Sequence, residues 1–380
     1  MIEPIYLDNN ATTRICDEAL DEVVRVSRNC YGNASSIHAM GKEAHDILEN
    51  SREKIASLLK VRPGEIIFTS GGSEGNNFAI KGLADLQNLS LKNHIVTTLD
   101  EHSSVHQVCR HLETRGFKVT YLKPDPQGRI SLKDLGTAIT DRTFLVSVLY
   151  ANNEIGTVQD IPSIGKLCAD RSVVLHTDGV QALGKVPVEL YRDKIGLFST
   201  AGHKIRGPKG AGFLFKQREI SLTPLIHGGG QEFDLRSGTE NIPLIAGLAK
   251  ACEIKFAQLE KESEYLKDLT LYFHDSLKKL LPLMEVNGDI ANRIPNTVNL
   301  RFPGVSGPKV IAYLSDEGIY ASPSSACSAN STKPSRILTS LGLMADEAFS
   351  SVRFSFNAEI TRAQVDRAVA AIKNIIDKLL

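Results

Sequence analysis

The sequence has no excess of charge of either sign, no long apolar run and no closely spaced pair of cysteines. Lys plus Arg total 44 and Asp plus Glu total 44 in 380 residues, so the net charge is near zero. Proteins that bind nucleic acid or membrane surfaces need an excess of positive charge. A membrane-spanning helix needs roughly 18 apolar residues in a row. We therefore expect a protein that binds neither nucleic acid nor membranes.

The N-terminus and the cysteines both indicate a cytoplasmic protein. The opening residues, MIEPIYLDNN, include Glu3 and Asp8 and no apolar core, so they do not resemble a secretory signal. No CxxC pair is present, which argues against a zinc ribbon or an iron–sulfur cluster, and we expect no metal site. A chain of this length does not need disulfides. We predict reduced thiols at positions 16, 30, 109, 168, 252 and 327.

Cys327 differs from the other cysteines in its surroundings. It lies in residues 322–332, SPSSACSANST, where small polar residues predict an accessible loop. An accessible thiol near cationic groups can supply a thiolate, which is the reactive form. The other five cysteines are predicted to be small buried hydrophobic residues. Cys327 is therefore the candidate reactive thiol.

Seven apolar runs rich in β-branched residues alternate with helical stretches between about residues 60 and 215. Helices are predicted at 103–114 and 161–169. This alternation indicates an α/β fold whose mostly parallel sheet has helices on both faces. Ligands of such folds bind outside the carboxyl ends of the strands. The predicted strands are 65–69, 94–98, 118–122, 144–149, 172–176, 195–199 and 212–215.

The pattern changes after residue 250. A long charged helix is predicted at about 251–281, and an amphipathic helix ends the chain, with Thr361 and Gln364 suited to a capping box at its start. We predict a large domain at 15–254 and a smaller α+β domain at 255–380, with the N-terminal arm 1–14 joined to the small domain.

The first candidate site is the small-residue stretch TSGGSEGNN at 69–77, between a predicted strand and a predicted helix. Exposed backbone N–H groups at a helix N-terminus favour an anion, so this stretch could hold a phosphate. It is neither a Walker A loop nor a GxGxxG fingerprint. The alternative is a tight strand–helix turn.

Two further candidates follow strands. Asp178 closes an apolar strand, and Lys204 lies just after the next one. Taken alone, Asp178 could be an N-cap, and Lys204 could belong to a solvated basic turn. Together with a phosphate cradle, however, they are the groups that a pyridoxal 5′-phosphate (PLP) site needs. The carboxylate keeps the pyridine nitrogen protonated and the lysine binds the aldehyde.

The sequence resembles the cysteine desulfurases, which belong to the class V aminotransferase group of PLP enzymes. The resemblance runs over essentially the whole chain. It implies an aspartate-aminotransferase-like large domain with a mostly parallel seven-stranded sheet flanked by helices, plus a smaller α+β C-terminal domain. The matching stretches are YLDNNATT (6–13), TSGGSEGNN (69–77), EHSSV (101–105), ANNEIGTVQ (151–159), HTDGVQALGK (176–185), GHKIRGPKGAG (202–212), HGGGQEFDLRSGTENIP (227–243), SSACSAN (324–330) and SSVRFSF (350–356).

The resemblance also assigns cofactor contacts. By it, His102 stacks on the PLP ring and moves protons, and Lys204 binds the aldehyde. Thr239 would reach the phosphate of a neighbouring subunit, which implies a homodimer. Two of these residues admit simpler interpretations, since His102 could cap a helix and Arg353, assigned below, could be a structural ion-pair partner. The other cofactor ligands implied are Gly72, Ser73 and His203 at the phosphate, Asn153 and Gln181 at the phenolic oxygen, and Asp178 at the ring nitrogen.

For the reaction, the resemblance implies conversion of L-cysteine to L-alanine. Arg353 and Asn33 would hold the substrate carboxylate, and Cys327 would accept the sulfur as a persulfide. The sulfur would then pass to an acceptor protein such as an iron–sulfur scaffold, a tRNA thiolation protein or a small sulfur carrier. The alternatives are a selenocysteine lyase or another PLP-dependent C–S lyase, or a non-catalytic sulfur carrier or partner-binding protein on the same fold.

Three positions depart from the usual pattern of these enzymes. Ala201 stands where a serine usually precedes Gly-His-Lys, so one hydroxyl donor to the phosphate is expected to be missing. Gly196 replaces a usual aspartate, and Pro323 begins an altered version of the loop that carries Cys327. We expect the alanine to lower the affinity for PLP without abolishing it, because other donors remain.

Overall fold

The computed structural model describes residues 3–323 and 333–380, so Cys327 lies outside the described residues. Two 3₁₀ turns in the described part cover Pro63–Glu65 and Gly202–Lys204. The strands are β1 (Ile5–Tyr6), β2 (Ile66–Thr69), β3 (His94–Thr98), β4 (Lys118–Leu122), β5 (Thr143–Ser147), β6 (Val174–Asp178), β7 (Leu197–Ser199), β8 (Gly212–Lys216), β9 (Glu285–Asn287), β10 (Thr297–Arg301), β11 (Ile319–Tyr320) and β12 (Ser351–Ser355). The α-helices are α1 (Asp17–Asn29), α2 (Ala39–Leu59), α3 (Gly72–Ala84), α4 (Ser103–Thr114), α5 (Leu132–Ala138), α6 (Ile161–Asp170), α7 (Gln231–Asp234), α8 (Ile242–Leu280), α9 (Gly307–Asp316), α10 (Arg336–Ser340), α11 (Ala345–Phe349) and α12 (Arg362–Leu379).

Seven strands form the largest sheet, in the order β2-β8-β7-β6-β5-β3-β4. Strand β8 runs antiparallel to both of its neighbours, and the other pairs are parallel. One hydrophobic core includes Leu48, Ile164 and Leu248 from α2, α6 and α8, and another includes Phe78 and Leu112 from α3 and α4. The predicted α/β class and the mostly parallel seven-stranded sheet are confirmed.

The C-terminal part has its own sheet and its own core. Strands β12, β10 and β9 form an antiparallel sheet in that order. The ring of Phe273 on α8 packs against Phe354 and Phe356, with centroid distances of 5.0 and 5.2 Å. The N-terminal arm joins this part through β1, which pairs in parallel with β11.

Helix α8 connects the two parts without a break. It begins at Ile242, earlier than the predicted start near residue 251, because Asn241 caps it and Pro243 occupies its first turn. The apolar residues Ile245 and Leu248 belong to the core under the large sheet, whereas Phe273 belongs to the C-terminal core. The predicted domain boundary at 254/255 therefore falls inside a helix, and the division into domains stays a prediction.

Two local predictions are confirmed residue by residue. Helix α4 spans Ser103–Thr114 as predicted. The last helix begins after Thr361, whose hydroxyl accepts from the backbone N–H of Gln364, while the Gln364 side chain accepts from the backbone N–H of Thr361. This reciprocal pair is the predicted capping box.

The five cysteines that the structure describes are buried and have free thiols. Burial raises the pKa of the Cys168 thiol and of the Cys252 thiol to about 12, so both stay protonated at neutral pH. Within residues 3–323 and 333–380, no helix has the length and apolar character needed to span a bilayer.

Candidate active site

A cavity of about 480 Å³ lies at the carboxyl edge of the large sheet. Asp178 ends β6, Lys204 follows β7, and Gly72 and His102 follow β2 and β3. The topology thus brings to one place residues that are far apart in sequence, as expected for a parallel sheet. The predicted site residues that line this cavity are Gly72, Ser73, His102, Asn153, Asp178, Gln181, His203, Lys204 and Arg353.

The phosphate cradle is built around the start of α3. The N-cap residue Gly71 has φ +145°, a conformation that other residues rarely adopt. A Cβ on Gly72 would lie 2.4 Å from a methyl carbon of Val180, so no larger residue fits without movement. Gly72 and Ser73, in the first turn, line the cavity, and the N–H groups of a first turn have no partner within the helix. A helix of this length with open N–H groups at its start can hold a phosphate.

Asp178 is a buried carboxylate held by donors on both oxygens. Its Oδ2 accepts from the side-chain amide of Asn76 at 2.7 Å, and its Oδ1 accepts from the backbone N–H of Val180 at 3.0 Å. An oriented carboxylate at the cavity wall suits a protonated ring nitrogen.

His102 both caps a helix and lines the cavity. Its Nδ1 accepts from the backbone N–H of Ser104 at 3.1 Å and lies 2.8 Å from the Ser104 hydroxyl. The alternative interpretation as a helix cap is therefore correct, and it is compatible with a site role. Because Nδ1 acts as an acceptor, the neutral ring carries its proton on Nε2.

Lys204 lies in the 3₁₀ turn that follows β7. Its amine donates to the backbone carbonyls of Asn10, at 2.5 Å, and Ala11, at 2.6 Å. The neighbouring His203 has its pKa lowered to about 4, first by burial and then by the charges of Lys204, Lys209 and Lys185. His203 is therefore neutral at pH 7, and its Nδ1 lies 3.1 Å from the Thr12 hydroxyl.

Arg353 on β12 is buried and forms a structural ion pair, which was the alternative interpretation of this residue. Its guanidinium donates to the Asp8 carboxylate at 2.5 Å and to the carbonyl of Asn153 at 3.0 Å. Its Nε is buried and has no hydrogen-bond partner among the described residues. A guanidinium with a spare donor at a cavity wall can bind a carboxylate.

Asn153 and Gln181 differ in how far their amides are already engaged. The side-chain oxygen of Asn153 is buried without a hydrogen-bond partner in the described part of the chain. Gln181 donates to the carbonyl of Asn10 at 3.0 Å and accepts from the amine of Lys185. The side-chain oxygen of Asn153 can therefore accept from a hydroxyl group of a ligand, whereas the Gln181 amide is already bonded to Asn10 and Lys185.

Asn33 and Thr239 are exposed, and neither is among the described residues that line the cavity. The Asn33 side chain accepts from the backbone N–H of Ser35 at 2.9 Å in its own loop. A single chain therefore does not bring these two predicted residues to the site. Their assigned roles stay predictions, as does that of Cys327, which lies outside the described residues.

Sequence reasoning missed a set of buried polar residues in the cavity wall. Burial and the neighbouring Asp100 and Asp178 raise the pKa of Glu101 well above its usual value. Burial also raises the pKa of Glu154, which accepts from the Ser335 hydroxyl at 2.6 Å. Glu101 and Glu154 occur in the stretches EHSSV and ANNEIGTVQ, where polarity next to a strand end was the only available signal.

One departure from the family pattern has a packing explanation. A Cβ on Gly196 would lie 2.6 Å from the terminal methyl carbon of Ile220 and 3.1 Å from a methyl carbon of Val174. An aspartate therefore does not fit at position 196 in this packing. The glycine at this position matches the apolar side chains around it.

The comparisons with known proteins agree with this geometry. The family model described as "Aminotransferase class-V" matches residues 5–368. The chain belongs to this family of PLP-dependent enzymes. It is 42% identical over 379 residues to the cysteine desulfurase IscS of Rickettsia massiliae, covering 99% of this chain and 92% of that protein. Within the family, the chain therefore belongs with the cysteine desulfurases.

Solved structures show the same likeness. A NifS-like protein superposes with a TM-score of 0.93 at 34% identity, covering 99% of this chain and all of that one. A second structure, titled "SspA in complex with cysteine", superposes with a TM-score of 0.82 at 36% identity and covers 93% of this chain and 99% of its own.

The residues present fit PLP. The cradle at Gly72, the carboxylate of Asp178 and the amine of Lys204 face one cavity, and the volume of about 480 Å³ is in the range of small-ligand sites. Among the described residues, the buried amide oxygen of Asn153 and the buried Nε of Arg353 have no hydrogen-bond partner, so a polar ligand could complete their hydrogen bonding.

Proposed function

We propose that the enzyme converts L-cysteine to L-alanine and takes the sulfur onto Cys327. The observation that carries this proposal is that Asp178, Lys204 and the cradle at Gly72 line one cavity, and that Lys333, the first described residue after the segment that contains Cys327, lines it too. The substrate assignment is supported by the relatives named above, one of which is described in complex with cysteine.

The first task of the site is to bind and orient. The N–H groups at Gly72 and Ser73 hold the phosphate of PLP, and Asp178 keeps the ring nitrogen protonated. Bound PLP supplies an aldehyde that takes up the amine of an amino acid and a cationic ring that withdraws electrons from the α-carbon. Arg353 holds the substrate carboxylate through its spare donor, which fixes the α-carbon over the site.

The second task is to move protons. The amine of Lys204 accepts the α-proton of the substrate, and it stays close because the carbonyls of Asn10 and Ala11 hold it. His102 carries a proton on Nε2, since its Nδ1 is engaged by Ser104. That proton is available to the leaving group or to the product carbon.

The third task is sulfur transfer. The thiolate of Cys327 attacks the substrate sulfur, so a sulfur–sulfur bond forms and the carbon–sulfur bond breaks. The electron pair of the broken bond goes to the substrate carbon, which takes up a proton and becomes the methyl group of L-alanine. The thiol is oxidised to a persulfide and the substrate carbon is reduced, so atoms and electrons balance without an added reagent.

The described flanks of segment 324–332 support this assignment. Ser322 pairs with Arg353 through two backbone hydrogen bonds of 2.9 and 3.2 Å, and Lys333 lines the cavity. Ser335 is fixed to Glu154 at 2.6 Å. Position 327 is five residues beyond Ser322, and five extended residues span at most about 18 Å. The proposed sulfur transfer requires the thiol to enter the cavity within that distance of Ser322.

The test compares Cys327→Ala with Cys168→Ala, which removes a buried thiol in α6. We expect alanine formation from cysteine to fall by orders of magnitude in the first variant only, with the visible absorbance of bound PLP unchanged. Persulfide should be found by mass spectrometry on the peptide that contains Cys327. Persistent alanine formation in Cys327→Ala would refute the acceptor role, and a preference for selenocysteine over cysteine would identify a selenocysteine lyase instead.

We also propose a homodimer that delivers sulfur to an acceptor protein in the cytoplasm. The exposure of Thr239 supports the first part, because a residue that completes a neighbouring site must lie on the surface of its own chain. Sedimentation analysis gives the mass. Thr239→Val should lower PLP affinity without changing that mass, whereas a monomeric active enzyme would rule the arrangement out.

A further inference from the structure

Glu74 is an acidic residue in the first turn of α3, the helix whose start forms the phosphate cradle. Its Oε2 accepts from the backbone N–H of Ser70 at 2.9 Å. A carboxylate at this place stabilises a helix, because it interacts with the positive end of the helix dipole. A phosphate is favoured at the same end for the same reason. The negative charge of Glu74 by itself therefore opposes the binding of a phosphate at the cradle.

Arg236, to which neither the motifs nor the proposed chemistry assign a role, forms an ion pair with this carboxylate. Its Nε donates to Oε1 of Glu74 at 2.9 Å, and its Nη2 donates to Oε2 at 3.3 Å. A planar guanidinium and a carboxylate fit each other in such a two-point contact. The side chains of Arg236 and Glu74 are 23% and 11% exposed, so water screens the pair only in part.

Both members of the pair are charged at neutral pH. Burial alone would raise the pKa of Glu74, but the hydrogen bonds from Arg236 and Ser70 outweigh it, so the pKa is lowered. The pKa of Arg236 is raised, chiefly by its hydrogen bond to Glu74. The charges of Glu232 and Glu240 raise it further. A positive and a negative charge therefore cancel each other at the start of α3.

A second contact fastens the stretch that carries Arg236 to β2, the strand that leads into the cradle. Glu232 accepts from the backbone N–H of Phe68 at 2.7 Å. It also pairs with Arg52 through two hydrogen bonds of 2.8 and 2.9 Å, and both side chains are 2% exposed. Residues 232–234 have φ values of +50° to +63°, which non-glycine residues keep only where their surroundings fix them. The fold therefore holds this stretch against β2.

We propose that Arg236 is a positioning residue of the cofactor site, which cancels the charge of Glu74 so that the start of α3 accepts a phosphate. This inference rests on the phosphate cradle at Gly72 in the proposed function. Neither Arg236 nor Glu74 is among the described residues that line the large cavity. The pair therefore acts from outside the cavity, through the net charge at the helix start.

The test compares the two ways of breaking the ion pair. Arg236→Met leaves the Glu74 charge without its partner, Glu74→Gln removes that charge and keeps an acceptor for the Ser70 N–H, and the double variant removes both charges. Arg115→Met is the matched control, because it breaks an ion pair with Asp85 at the other end of α3. Each PLP-free protein is titrated with PLP, with pyridoxal, which lacks the phosphate, and with inorganic phosphate in competition with PLP.

In Arg236→Met, the dissociation constants of PLP and of inorganic phosphate should rise by about three- to tenfold, because the uncovered carboxylate repels the anion. The dissociation constant of pyridoxal should not change. Glu74→Gln should bind PLP at least as tightly as the wild type, although it breaks the same ion pair. The double variant should return to within about twofold of the wild type, and Arg115→Met should match it.

Weaker PLP binding in Glu74→Gln would overturn the inference even where Arg236→Met does not fold. An equal loss of pyridoxal binding in Arg236→Met, or a loss of PLP binding that the added Glu74→Gln does not restore, would overturn it as well. A wild-type protein that binds pyridoxal as tightly as PLP would instead refute the phosphate cradle at Gly72.

Discussion

The buried amide of Asn76 donates to the carboxylate of Asp178 at 2.7 Å. The same amide donates to the Ser104 hydroxyl at 2.8 Å, and this hydroxyl lies 2.8 Å from Nδ1 of His102. A residue on α3 thus links the end of β6 to the start of α4. In the proposed site, Asp178 and His102 both contact the PLP ring. The Asn76 side chain fixes their positions relative to each other.

Replacement of Asn76 by alanine should therefore disturb both groups at once. Hydrogen bonds to charged groups contribute about 1.5–3 kcal/mol, so we expect PLP affinity or the rate of alanine formation to fall by about 10- to 100-fold. The PLP affinity is measured by titration with PLP, and the rate of alanine formation is measured by an alanine assay. Asn77→Ala is the control, because the Asn77 amide donates to the Ser73 carbonyl in its own helix at 2.9 Å. Equal effects of the two changes would contradict the linking role.

Replacement of Gly72 by alanine should create a steric clash, and a second substitution should relieve it. In Gly72→Ala, the new Cβ would lie 2.4 Å from a methyl carbon of Val180. Overpacking of this kind costs about 1–3 kcal/mol, so we expect a lower melting temperature and weaker PLP binding.

The double variant Gly72→Ala/Val180→Ala tests the cause. Trimming Val180 makes room for the new methyl, so the double variant should recover most of the PLP affinity lost by Gly72→Ala. A loss equal to the sum of the two single changes would show that the glycine is required for its backbone and not for the space.

The local structure could be predicted well from the sequence, because the residues that determine it lie close together in the chain. The capping box of α12 and the bounds of α4 depend on residues within one turn of each other. The hydrogen-bond partners of Glu154 and Lys185 could not be predicted from neighbouring residues in the sequence. Ser335 is 181 residues from Glu154, and Asn10 is 175 residues from Lys185, so only the folded topology brings these pairs together.

Ala201→Ser should strengthen PLP binding. Ala201 is 2% exposed, and its methyl carbon lies 3.9 Å from the place where a Cβ on Gly72 would be, so position 201 borders the cradle. A hydroxyl there adds one hydrogen bond worth about 0.5–1.5 kcal/mol, which corresponds to about a two- to tenfold lower dissociation constant. Titration of the PLP-free protein with PLP measures this dissociation constant. An unchanged or higher constant would mean that position 201 does not face the phosphate.

His176 should make the stability of the protein fall with acid. It is fully buried between the hydroxyls of Ser147, at 2.8 Å, and Ser199, at 3.0 Å, and burial lowers its pKa to about 3. The unfolded chain binds a proton at this residue below a pH of about 6.5, whereas the folded chain does so only near pH 3. The unfolded state therefore takes up more protons, and the free energy of unfolding falls as the pH drops through this window.

The slope attributable to one such proton is about 1.4 kcal/mol per pH unit. We expect this contribution to the slope to be missing in His176→Gln. The glutamine side chain does not titrate, and it keeps a polar group between the two serines. Urea unfolding of wild type and variant at pH 7, 6 and 5 measures the difference. Because both proteins keep the other titratable groups, including His203 with its lowered pKa, the difference isolates His176. Parallel curves for the two proteins would show that His176 does not keep its proton affinity low in the folded state.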